Sequence, residues 1–135
     1  MKVSRYPPHN LGAWGEVVAS RLLEHAGWTI RERGYRLGRR EIDIIASRAS
    51  VLVFVEVKTR SRGGIGSPED AVTWRKRREI EVVAQDYLMR HVREYVGVRF
   101  DVVAIVADER RRILRCDHIE DAWPVSYTHL TLPTN

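Results

Sequence analysis

A chain of 135 residues with 44% hydrophobic content is expected to form one domain, long enough to bury a single core. Its 23 lysines and arginines against 18 acids give a net charge of +5 and a pI near 9.8, a balance that favours polyanionic partners. No apolar run reaches the roughly 18–20 residues of a membrane span, and the opening MKVSRYPPHN lacks the apolar core of a secretion signal. The single cysteine, Cys116, excludes an internal disulfide and suits a reducing, cytoplasmic setting.

Residues 1–9 read as a tail, and one domain is expected over residues 10–124. Asn10 is a good helix cap and Gly27 a good residue just past a helix end, so a first helix is predicted between them. On it Gly12, Glu16, Ala19 and Leu23 share a face through their three- and four-residue spacing, which sets Glu16 among small and apolar neighbours. A short strand over Trp28–Arg33 follows, then a loop through Gly34 and Gly38. EIDIIAS (Glu41–Ser47) and VLVFVEVKT (Val51–Thr59) form a predicted hairpin around Arg48–Ser50. Ser67, with Pro68 after it and Asp70 three residues on, marks the predicted start of a long helix. Its apolar stripe is Val72, Ile80, Val83, Ala84, Tyr87, Leu88 and Val92. VRFDVVAIVA (Val98–Ala107) is a near-continuous strand; a basic turn, a strand at Ile113–Cys116 and a short terminal helix are expected after it. The order helix, three strands, helix, strand predicts an α/β fold with a mixed central sheet flanked by helices. The last stretch, VSYTHLTLPTN (Val125–Asn135), has no acid, lysine or arginine. It closely resembles a translated transposon-based sequencing adapter and is expected to be a non-native tail.

The hairpin carries the chemistry. Alternation along a strand places Glu41, Asp43 and Ile45 on one face, and Leu52, Phe54, Glu56 and Lys58 on one face of the partner. A two-residue turn at Arg48–Ala49 sets Asp43 opposite Phe54, whereas a turn at Ala49–Ser50 sets it opposite Glu56. Either register leaves Asp43, Glu56 and Lys58 on the same side, away from the turn. Two carboxylates this close repel unless one keeps a proton or a cation lies between them. A hard ion such as Mg²⁺, or Mn²⁺, takes oxygen ligands, and the backbone carbonyl of Val57 offers a further one. Lys58 would then orient a water for attack on a phosphodiester. Lys76 lies between Val72 and Ile80 on the buried stripe; it either snorkels to solvent or points its charge into the same cleft.

These residues also carry a family resemblance. Gly15–Glu16, EIDIIA (Glu41–Ala46), FVEVKTR (Phe54–Arg60), Gly66 with Pro68, Lys76 and RFD (Arg99–Asp101) resemble the YraN family of small bacterial proteins. Beyond it, the chain is similar to the PD-(D/E)XK superfamily, whose restriction-endonuclease-like αβββαβ core matches the predicted order. The resemblance implies nuclease-motif positions for Asp43, Glu56 and Lys58, and a helix carboxylate at Glu16. Arg40 stands where the family usually has glycine, and Gly34 stands in a region where it usually has asparagine.

The expected function is a nucleic-acid-binding, Mg²⁺-dependent endonuclease, acting on DNA rather than RNA and on branched or damaged structures. The alternative is a non-catalytic module on the same fold that binds nucleic acid or protein. Phosphate contacts are expected from Arg36, Arg40, Arg60, Arg75 and Lys76, drawn from three of four basic clusters in which arginine outnumbers lysine, the fourth being Arg110–Arg112. Trp74, beside Arg75–Arg78, is the indole placed for base stacking. Cys116, Asp117 and His118 lack the spaced pairs of a zinc site. Asp101 reads as a structural ion-pair partner or as a further member of the site.

Overall fold

A computed structural model gives the fold and describes residues 10–63, 72–92, 94 and 97–125. Its elements are α1 (Leu11–His25), β1 (Thr29–Leu37), β2 (Arg40–Arg48), β3 (Val51–Ser61), α2 (Trp74–His91), β4 (Gly97–Ala107) and β5 (Ile113–Trp123). The strands form one mixed sheet in the order β1-β2-β3-β4-β5; β3 and β4 are parallel and every other neighbouring pair is antiparallel. This is the predicted α/β architecture, with the αβββαβ order of a restriction-endonuclease-like core and one further strand. No helix among the described residues is long and apolar enough to cross a membrane.

The two helices cover opposite faces. α1 packs Trp14, Ala19 and Leu23 with Ile44, Ala46, Val53, Val55, Val103 and Ile105. α2 packs Ile80, Val83, Ala84, Tyr87 and Leu88 with Ile45, Leu52, Phe54, Phe100 and Val102. Because β3 and β4 are buried on both faces, their sequences are apolar almost without alternation. Each fully buried Leu, Ile or Phe stabilises by about 1.5–3 kcal/mol, so the central strands are the rigid part of the sheet.

The first helix starts as predicted: the Asn10 side chain accepts from the N–H groups of Gly12 and Ala13 at 2.7 and 3.3 Å. It ends at Ala26, and Gly27 turns the chain with φ +92°. Three predicted boundaries differ. β1 runs on through Gly34 to Leu37, because Gly34 adopts φ +63° without a side-chain clash and lets the strand continue past the bend. α2 begins at Trp74, where Thr73 is the cap and accepts the Lys76 N–H at 3.1 Å; Ser67, Pro68 and Asp70 lie outside the described residues. The predicted terminal helix is instead the second half of β5. Trp123 stacks on Phe100 with centroids 5.0 Å apart, and the β4–β5 ladder extends from Ala107↔Ile113 to Phe100↔Trp123, so tertiary pairing overrides local preference. Val125, at the start of the predicted tail, packs partly buried against the α2-side core; residues 126–135 lie outside the described residues.

Candidate functional site

The turn of the β2–β3 hairpin is Ala49–Ser50, flanked by the pair Arg48↔Val51. That selects the register in which Asp43 continues the ladder opposite Glu56. Paired positions stop one step short, at Ile44↔Val55. Ile42 belongs to the α2-side core and Ile44 to the α1-side core, although strict alternation would put both on one face. Between the β1–β2 pairs Arg33↔Ile44 and Tyr35↔Ile42 lie Gly34, with its positive φ, and Asp43. The strand therefore bends where the carboxylate sits. Glycine and asparagine are the residues that adopt this backbone most readily, which accounts for a glycine at position 34.

The bend gives Asp43 a defined partner. Its Oδ2 accepts the Val57 N–H at 2.8 Å, so a side chain replaces the ladder bond that β2 no longer supplies. Glu56, 5% exposed, has Oε1 3.8 Å from the Lys58 ammonium, and its carboxyl meets that of Asp43, a contact that makes a hydrogen bond only while one of the two holds a proton. Glu16 enters from α1. One carboxylate oxygen from each of Glu16, Glu41 and Asp43 lies within 4.8 Å of the others.

Electrostatics follow from this crowding. Burial, then the Asp43 charge, pushes the Glu56 carboxyl up to about 8 against the pull of Lys76 and Lys58. Burial, with Asp43 and Glu41 nearby, pushes Glu16 up to about 7. Asp43 is raised too, by burial and by Glu41, and is held back by the Val57 N–H, Lys76 and Lys58. The structure thus brings Asp43, Glu56, Lys58 and Glu16 together, and the Lys76 charge acts on both Asp43 and Glu56. Glu41 joins them although its role is not evident from motif spacing. The available signal is its position two residues before Asp43.

Gly15 sets the height of α1 over β3. A methyl group there would run into Thr59 Oγ1 and lie 3.0 Å from Thr59 Cβ. Gly15→Ala is therefore expected to destabilise the protein by about 1–3 kcal/mol and to lift Glu16 away from Asp43. A urea-unfolding midpoint equal to the parent's would show that the contact is not tight.

A profile described as "Uncharacterised protein family UPF0102" matches residues 15–105, a span that contains every residue of the cluster. The chain belongs to this family. It is 43% identical over 125 residues to a UPF0102 protein of Chlorobaculum parvum, covering 90% of this chain and 97% of the relative. Against a UPF0102 protein of Rhodococcus opacus the identity is 44% over 117 residues, 85% of this chain and 98% of the relative. A UPF0102 protein of Prosthecochloris aestuarii is 45% identical over 120 residues, 86% of this chain and 94% of the relative.

Around the cluster of this UPF0102 protein, the basic residues differ in setting. Arg40 and Arg75 are exposed, Arg60 and Lys76 are half-buried, and Arg36 is exposed but paired with Glu41 at 3.1 Å. Asp101 is fully buried elsewhere on the sheet. It accepts from Arg99 at 3.0 and 2.8 Å and from the Asp121 N–H at 3.0 Å, with His118 Nε2 at 2.7 Å. Burial alone would raise its carboxyl, but hydrogen bonds from His118, Arg99 and Asp121 hold it below the ordinary value. Asp101 and His118 are thereby structural partners, and Asp117 pairs with Arg115.

Proposed function

We propose that this UPF0102 protein is a divalent-metal-dependent nuclease of the PD-(D/E)XK type, acting on DNA in the cytoplasm, with branched or damaged structures as the preferred substrates. The observation that carries the reading is Asp43, held by the Val57 N–H at the open end of the hairpin, beside Glu56 and Lys58. The donor set fits a hard cation: every candidate ligand is an oxygen, Glu16, Glu41 and Asp43 bring oxygens within 4.8 Å of one another, and Glu56, outside that trio and buried against Asp43, keeps a proton unless a cation is shared between the two. Zinc, which favours nitrogen and sulfur ligands, suits it less well than Mg²⁺ or Mn²⁺.

Asp43, Glu56 and the Val57 carbonyl would hold the ion. An extended residue presents its N–H and C=O to the same strand edge, so the Val57 carbonyl faces the gap that contains Asp43. When bound, the metal supplies charge stabilisation at the phosphoryl oxygens. Lys58 orients a water against phosphorus. The water oxygen forms a new P–O bond as the bond to one sugar oxygen breaks, and that oxygen leaves with the bonding electron pair and takes a proton from solvent. Glu16, with a carboxylate oxygen within 4.8 Å of one on Asp43, is placed to take the proton that the water gives up. Exposed Arg36, Arg40 and Arg75, with Arg60 and Lys76 nearer the cluster, would hold the flanking phosphates.

The test is incubation of the purified protein with labelled duplex, single-stranded, flap and four-way DNA in Mg²⁺ or Mn²⁺. Strand breaks that vanish with EDTA are expected on at least one substrate. Salt-sensitive binding without cleavage of any substrate would leave the non-catalytic module instead. Absence of binding would remove both.

A further inference from the structure

Four tryptophans divide sharply. Trp14, Trp28 and Trp123 are buried, whereas Trp74 is 71% exposed at the first position of α2. Water is a poor place for an indole, the largest apolar side chain, and an exposed one this large has not been placed there by core packing. Its surroundings indicate a partner. The Arg78 guanidinium lies 5.0 Å from the centroid of the indole and steadies one face of the ring. Arg75, Lys76 and Arg78 follow Trp74 within four residues, and the first turn carries no acid; Arg77, in the same run, lies over the buried Trp123 ring, 5.4 Å from its centroid. Cations at a helix start oppose the macrodipole, each by about 0.3–1 kcal/mol. Helix stability therefore does not explain the run, but a polyanion would.

Val72, just before α2, shares a buried cluster with Ile42, the neighbour of Asp43, which sets the start of α2 on the part of the sheet that carries the carboxylates. Lys76 and Trp74, two positions apart, point to different sides of the helix, so the indole serves a stretch of strand beyond the cluster. We propose that Trp74 is a stacking platform for an unpaired base a short way along the strand from the phosphate held at the carboxylate cluster. The inference rests on the nuclease reading and narrows it: the favoured substrate has a single-stranded nucleotide near the cleavage point, because a base inside a blunt duplex is already stacked and cannot reach the indole. A second copy of this chain is the competing occupant, since Val82 and Met89 on α2 are exposed as well. The cations around Trp74 favour nucleic acid, as two copies would bring like charges together.

The experiment uses the full chain in EDTA, so that strands stay intact. The probes are a short blunt duplex and the same duplex with a single-stranded thymidine overhang. Overhang binding is expected to quench tryptophan fluorescence. Trp74→Ala should weaken overhang affinity roughly tenfold with little change on the blunt duplex, Trp74→Phe should restore most of it, and the unfolding midpoint should stay put. Equal losses on both probes, or no loss on either, would overturn the platform while leaving the nuclease reading intact. Loss only of concentration-dependent self-association would also overturn it and favour the second copy. If the parent protein binds neither probe, the platform falls, while the nuclease reading stands or falls on the cleavage assay with flap and four-way DNA in Mg²⁺ or Mn²⁺.

Discussion

Asp43→Asn is expected to abolish divalent-ion binding and to lower strand cleavage on the order of a thousandfold, the upper range for removing one preorganised electrostatic group. Asp43 is common to both parts of the cluster: it lies with Glu16 and Glu41 on one side and interacts with Glu56 on the other. Asparagine keeps one oxygen to accept the Val57 N–H, so the bend in β2 should survive while the charge is lost. Lys58→Met should separate the roles. It removes a cation beside Glu56, so metal binding should hold or tighten while cleavage falls, if Lys58 orients the water rather than the ion. Calorimetric titration with Mg²⁺ and Mn²⁺, run beside a cleavage assay, reads both effects. An Asp43→Asn protein that cuts at the parent rate would remove the catalytic assignment.

Much of this geometry is legible in the sequence because the strands are regular there. The run Val51–Val55 announces a strand buried on both faces, and Asn10 and Gly27 announce the ends of α1, since each solves a local backbone problem in one way. The convergence of Asp43 with Glu56 follows from alternation once the turn is placed. What alternation cannot supply is the bend at Gly34 and Asp43, a long-range consequence of β1, β2 and β3 meeting. Glu41 enters the cluster through that bend. The second half of β5 is similarly hidden, because its reason for being extended is Phe100 and the β4 ladder rather than its own residues. Thr73 rather than Ser67 caps α2; both are good capping residues, and local chemistry alone does not choose between them.

Glu56→Gln is expected to make the metal-free protein more stable, in the opposite direction to most substitutions of a buried residue. The sign follows from proton linkage. An unfolded glutamate ionises near its ordinary 4.5, whereas burial and Asp43 raise Glu56 to about 8 in the folded state. Between those values the folded chain holds a proton that the unfolded chain releases, so stability is greatest below the lower value and declines as pH rises through the upper one. Asp43 and Glu56 share that proton, and the loss should amount to about 3–5 kcal/mol across the window. Glutamine keeps the shape, carries no charge and can donate to Asp43, so Glu56→Gln should gain about 1–3 kcal/mol near pH 8.5 and almost nothing near pH 5. Mg²⁺ should reverse the ranking, since an ion that binds only the folded parent stabilises it by mass action, and the variant has lost a ligand. Urea unfolding in EDTA and then in Mg²⁺, at both pH values, tests this. A variant less stable than the parent at alkaline pH without metal would mean that Glu56 is satisfied by the protein alone, leaving its buried oxygen no need of a cation.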